Sequence, residues 1–152
     1  MIVIRVSIDE RGLKAMLAFL DTLRGTEITI GPGDAYHTRL LALLEAGSPI
    51  RHIPPRPLLM PALSAPETRK KIAAALITSG PDAAGRAAVE AVRAYPASGK
   101  LTPNAPVTLS GGWMRSGASG KSFHIAGKKS STPLVNTGGL LASITYAVRK
   151  QR

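Results

Sequence analysis

The chain has 152 residues, 44% of them hydrophobic, which suits a single domain with a buried core and argues against wholesale disorder. It holds no cysteine, so disulfide frameworks and thiolate metal sites are excluded. The net charge of +11 is unevenly spread: residues 1–90 hold eleven Lys and Arg with all nine acids, whereas residues 91–152 hold nine Lys and Arg and no acid. A surface so one-sided attracts nucleic acid or an acidic protein face.

In chain order, Ile2–Ile8 alternates with period two, as a half-buried strand does. Asp9 can cap a helix through about Arg24, whose Leu13, Met16, Leu17, Leu20 and Leu23 form one apolar stripe. The acids placed directly after the short apolar start do not fit a secretory signal. No apolar run approaches the about 18 residues of a membrane span, so a soluble protein is expected. Thr26–Ile30 reads as a second strand, followed by a Gly31–Gly33 turn. Asp34 then caps a helix to about Ala46, with Leu40, Leu41 and Leu44 on one face and Gly47 as its stop.

Residues 49–66 contain half of the twelve prolines and predict an extended, semi-rigid arm. Pro66 suits the first turn of a helix over Glu67–Ser79. A further helix, capped by Asp82 and closed by Pro96, is built on Ala88, Val89 and Val92. Residues 97–132, rich in Gly, Ser, Pro and Lys, predict a long flexible loop or loose hairpin. Asn136 can cap a short helical turn over Thr137–Ala142, and Ser143–Arg149 alternates as a last strand. The class is therefore α+β: one domain over 1–152, a small antiparallel or mixed sheet of three to four strands, and about four helices.

The tests for chemistry fail. Gly120-Lys121-Ser122 resembles the end of a phosphate-binding loop, but Arg115 stands where that motif needs its first glycine. Gly117-Ala118-Ser119-Gly120 misses the nucleophile elbow by one residue. His37, His52 and His124 are far apart, with no carboxylate at ligand spacing, so no metal and no cofactor are expected. An enzyme is not expected. Nucleic-acid binding is the stronger rival, because Lys100–Lys129 mixes Arg115, Lys121, Lys128 and Lys129 with Trp113, Phe123 and His124. That stretch matches no recognised binding module.

Two stretches carry a resemblance. Glu45-Ala46-Gly47-Ser48, followed by Ile53-Pro54-Pro55-Arg56-Pro57-Leu58-Leu59-Met60-Pro61-Ala62-Leu63, is similar to the E-x-G … I-P-x-R-P-F-L-x-P-A segment of bacteriophage tail-completion and virion-morphogenesis proteins. Ala46 stands where an aromatic is common, and Leu58 where Phe is usual. Pro133 to Tyr146 resembles that family's P-L-I/V-D-T-G-x-L-x-x-S-I-x-Y, with Asn136 in place of Asp. Pro103-Asn104-Ala105-Pro106-Val107-Thr108 resembles the P-N-x-P-x-T that leads into its variable loop. The match runs over about residues 35–149.

The resemblance implies a structural virion protein of the neck, without catalytic residues, assembled in the host cytoplasm. It implies a homo-oligomeric, usually hexameric ring between the head connector or head-closure proteins and the tail terminator or tail tube. Phage DNA would pass through without specific recognition, and no membrane is involved. The alternatives are a tail-terminator ring that caps the tube and, from a different class, a basic DNA-binding protein. Contact with a neighbouring subunit or partner is expected at Ile53, Pro54, Arg56, Pro57, Leu58 and Leu59 of the arm. In the loop it is expected at Trp113, Arg115, Lys121, Phe123, Lys128 and Lys129, and beyond it at Asn136, Thr137, Gly138 and Leu140. For the arm, a rigid wrap over the chain's own core is the competing reading.

Overall fold

A computed structural model describes residues 10–51, 53–117, 119–128, 130–135 and 138–150. The first element is α1 (Glu10–Leu23), followed by β1 (Thr26–Pro32) and α2 (Ala35–Ala46). Asp34 caps α2 as expected: its backbone is extended, and Oδ1 accepts the His37 N–H at 2.9 Å. Gly47 ends α2 at φ 71°, its N–H donating to the Leu43 carbonyl at 2.8 Å.

The proline-rich arm is less extended than the sequence suggests. A 3-10 turn covers Pro49–Arg51, Ser48 and Ile53 form an antiparallel bridge, and α3 occupies Leu59–Ser64. Pro61 is tolerated in α3 because it falls in the first turn, where amides have no intrahelical acceptor. Next come α4 (Pro66–Ser79) and α5 (Pro81–Ala94), each with proline in its first turn. Asp82 therefore does not cap α5. It lies inside the first turn, and Gly80 holds the cap position without a side-chain bond.

Pro96 is buried in a 3-10 turn over Tyr95–Ser98. Residues 97–132 are not a plain loop, because they contain α6 (Pro106–Ser110), β2 (Gly112–Arg115) and β3 (Ser122–Ile125). Last come α7 (Gly139–Ser143) and β4 (Ile144–Lys150). Gly138, at φ 80°, occupies the α7 cap position, with no side-chain bond there. The predicted strand Ile2–Ile8, the proposed caps Asp9 and Asn136, and His52 lie outside the described residues.

The α+β class holds, in a different arrangement from a single sheet. Among the described residues, β1 pairs antiparallel with β4, and β2 pairs antiparallel with β3. Three of the seven described helices span only five or six residues, too short for periodicity to reveal them. The β1–β4 register sets Ile28 opposite Val148, Ile30 opposite Tyr146 and Pro32 opposite Ile144, so these six side chains share one face. Helix α5 lies on this sheet. The core gathers Leu41, Leu58, Ala62, Val89, Val92, Leu140 and Ile144, supplied by α2, the arm, α3, α5, α7 and β4.

Candidate interaction surface

The residues of the first motif are spent within the fold. The Glu45 carboxylate, at the end of α2, accepts the amides of Leu58 and Leu59 at 3.1 and 2.9 Å. It thereby satisfies orphan donors at the start of α3 and places a negative charge at the positive end of that helix. Gly47 is held at positive φ, and a Cβ there would meet the Ile53 carbonyl at 2.7 Å and the Pro55 nitrogen at 2.8 Å. The Arg56 amide donates to the Leu44 carbonyl at 2.8 Å. Its guanidinium donates from Nε to the Thr102 carbonyl at 3.0 Å and from Nη2 to the Pro103 carbonyl at 3.1 Å.

Leu58 is fully buried, Ile53, Pro54 and Leu59 are half-buried, and Pro57 is exposed. The arm is thus a wrap over the chain's own core. Glu45, Gly47 and Arg56 pin it in place.

The second motif also works internally where it is described. Leu140 and Ile144 enter the core, while Gly138 is half-buried. The Ser143 carbonyl accepts the Gly33 amide at 2.9 Å, tying the α7–β4 junction to the end of β1. Tyr146 packs its ring over Gly85 of α5, where any Cβ would overlap it. Its hydroxyl donates to Asp82 Oδ1 at 3.4 Å. Gly85, which the sequence reading did not single out, is therefore a packing site created by Tyr146. Asn136, Thr137 and Lys129 lie outside the described residues.

What the fold leaves uncovered is the β2–β3 hairpin. Its base is a close backbone crossing: a Cβ on Gly127 would meet the Leu109 carbonyl at 2.6 Å, and one on Gly111 the Gly127 nitrogen at 2.8 Å. At the other end, the Ser116 amide donates to the Lys121 carbonyl at 2.8 Å, and Arg115 Nε donates to the Gly120 carbonyl at 2.9 Å. Register places Trp113 opposite His124 and Arg115 opposite Ser122, so these four share a face. The Trp113 and His124 rings meet edge to face at 5.5 Å.

Trp113 is nevertheless 73% exposed and Phe123, on the other face, 46%. Arg115 and Lys121 are exposed, and Lys128 is half-buried just beyond the hairpin. Beyond its own pairing the hairpin packs chiefly on α6. Four of the loop candidates named from sequence, Trp113, Arg115, Lys121 and Phe123, are thereby brought onto one projecting hairpin, whereas Lys128 lies beyond it.

A second uncovered feature is α1. Leu13, Met16, Leu17 and Leu20 stand about half exposed along one side, and no α1 residue is buried among the described residues. The helix forms as its periodicity predicts, but its apolar stripe is not the chain's own core.

No cluster suited to metal binding occurs among the described residues. Contrary to the expectation that no carboxylate stands at ligand spacing from a histidine, Asp34, three residues before His37, engages it with Nδ1 and Oδ2 2.7 Å apart, and Tyr36 meets the His37 ring edge-on at 5.1 Å. The His37 N–H holds the Asp34 carboxyl below the usual aspartate range. A shallow cleft between α5 and β4 is lined by Arg86, Glu90, Arg93 and Tyr146. Arg93 is already committed there, donating from Nη2 to the carbonyls of Ala142 and Ile144 at 3.0 and 2.8 Å. No helix among the described residues is long and apolar enough to cross a membrane. Compared with protein-family models, curated proteins and solved structures, the chain matches none of them.

Proposed function

We propose that this chain is a structural subunit of a bacteriophage neck, one that assembles into a ring and joins the filled head to the tail. The observation that carries the reading is the projecting hairpin, with Trp113 and Phe123 uncovered beside Arg115 and Lys121. Large apolar side chains left exposed, here one on each face of a small hairpin, mark it as a docking element, and aromatic and Arg anchors commonly dominate interface energy. The exposed stripe of α1 supplies a second such surface. The motif residues Glu45, Gly47, Arg56, Leu58, Leu140, Ile144 and Tyr146 have coherent roles within one fold, which supports treating the resemblance as more than a chance string.

In this reading the ring is a homo-oligomer, expected to be a hexamer, placed between connector and tail proteins. DNA passes through it without base recognition. A strongly basic lumen would retain DNA, so the C-terminal charge faces protein partners rather than the channel. Deleting the gene tests the proposal: filled heads and finished tails should accumulate unjoined. Normal joining would overturn it, and abnormally long tails would reassign the chain to a tail terminator.

A further inference from the structure

The register of the β1–β4 ladder leaves one edge of β4 with main-chain groups to spare. The Gly33 amide donates to the Ser143 carbonyl at 2.9 Å, one step beyond the Pro32–Ile144 pair. Bonded and non-bonded pairs alternate along an antiparallel ladder, so Gly31–Thr145, Thr29–Ala147 and Glu27–Arg149 bond across it. The amides and carbonyls of Ile144, Tyr146 and Val148 therefore point away from β1.

Arg93 marks that direction from outside, since its Nη2 reaches the Ile144 carbonyl at 2.8 Å. The Ile144 amide is spent on the Leu141 carbonyl. Beyond this capped start, Tyr146 and Val148 have no strand beside them among the described residues. A cleft of about 570 Å³ opens here, lined by Ile144, Thr145 and Tyr146 on one side and by α5 on the other. No described β1 residue lines it, which places it on the outer side of β4. The outer edge of β1 is a poorer template, because Pro32 stands at an outward position without an N–H.

The charges at this edge select the guest. Arg86 and Arg93 line the cleft with a single acid, Glu90. Lys150 follows on the face of β4 shared by Tyr146 and Val148. Arg86 is exposed and makes no hydrogen bond or ion pair among the described residues. A second copy's β4 would bring its own Arg149 and Lys150 to a basic edge, and like charges placed opposite are destabilising.

We propose that this edge is a strand-addition site, which takes an extended, acidic segment of a partner protein as a third strand beside β4. Main-chain bonds to Tyr146 and Val148 would hold the segment, and an acidic side chain turned towards α5 would meet Arg86. The site is separate from the hairpin and does not depend on the neck assignment, since it is a property of the free chain.

Titration of the isotope-labelled full chain with a capped hexapeptide of alternating Glu and Val tests the site. Saturable shifts are expected at the Tyr146 and Val148 amides, together with slowed hydrogen exchange there. Arg86→Ala should weaken binding about fivefold at an unchanged urea midpoint. The same peptide with every backbone amide N-methylated keeps its charge and should not bind. Equal binding by that peptide would mean charge attraction alone and would overturn the proposal. So would equal affinity for a Lys and Val counterpart, or saturable shifts confined to other elements. Shifts at Tyr146 and Val148 that follow protein concentration without peptide would give the edge to a second copy and overturn it as well.

Discussion

The proline-rich arm and the β2–β3 hairpin were both expected to reach a neighbour, and the fold treats them in opposite ways. The arm buries Leu58 and Arg56 and hands Leu58 and Leu59 amides to Glu45. The hairpin rises over a glycine crossing and leaves Trp113 and Phe123 in solvent. The difference teaches that a motif with many prolines and one arginine can be a fold determinant. The less patterned stretch, rich in glycine and lysine, is what the fold leaves exposed.

Truncation energetics should break or sharpen that contrast most directly. Leu58→Ala should cost about 2–5 kcal/mol in urea unfolding, since a fully buried side chain leaves a cavity. Trp113→Ala, despite removing more atoms, should change stability by no more than about 0.5 kcal/mol. Similar losses at both sites would show that the hairpin packs on the body.

Gly85→Ala is the next largest effect. Overlap with the Tyr146 ring should cost about 1–3 kcal/mol, exceeding the helix-propensity gain of at most about 1 kcal/mol. In a Tyr146→Ala background the same change should become stabilising, and chemical denaturation of the four variants of that cycle reads the coupling. Glu45→Ala leaves the Leu58 and Leu59 amides without their acceptor and should cost about 1–3 kcal/mol.

The smallest effect is that of pH. Because the folded-state pKa of Asp34 is lowered, its capping contribution is present above the ordinary aspartate pKa. It is lost as pH falls through the folded value. Wild type should therefore lose slightly more stability than Asp34→Asn between pH 5 and acid below the usual aspartate range, by thermal unfolding. Parallel curves would remove the cap from the account.

Much of the fold was legible wherever a local signal and the tertiary structure agreed. Asp34, Gly47 and the Leu41 face bounded α2 correctly, and the alternation of Ile144, Tyr146 and Val148 marked β4. The arm misled because proline content implies extension, whereas Pro61 in a first turn is compatible with a helix. The hairpin was legible only as an alternative to a loop, because its strands are four residues long and their order depends on the Gly111–Gly127 crossing, a contact between positions sixteen apart. The α1 stripe was visible, but what it faces was not, since periodicity reports a face and never its partner.

The account centres on the hairpin as the assembly surface, and complementation of a deletion phage by Trp113→Ala/Phe123→Ala tests it most directly. With joined virions counted by electron microscopy, the account predicts unjoined heads and tails, although the purified variant keeps the wild-type urea midpoint. Wild-type numbers of joined virions would contradict it.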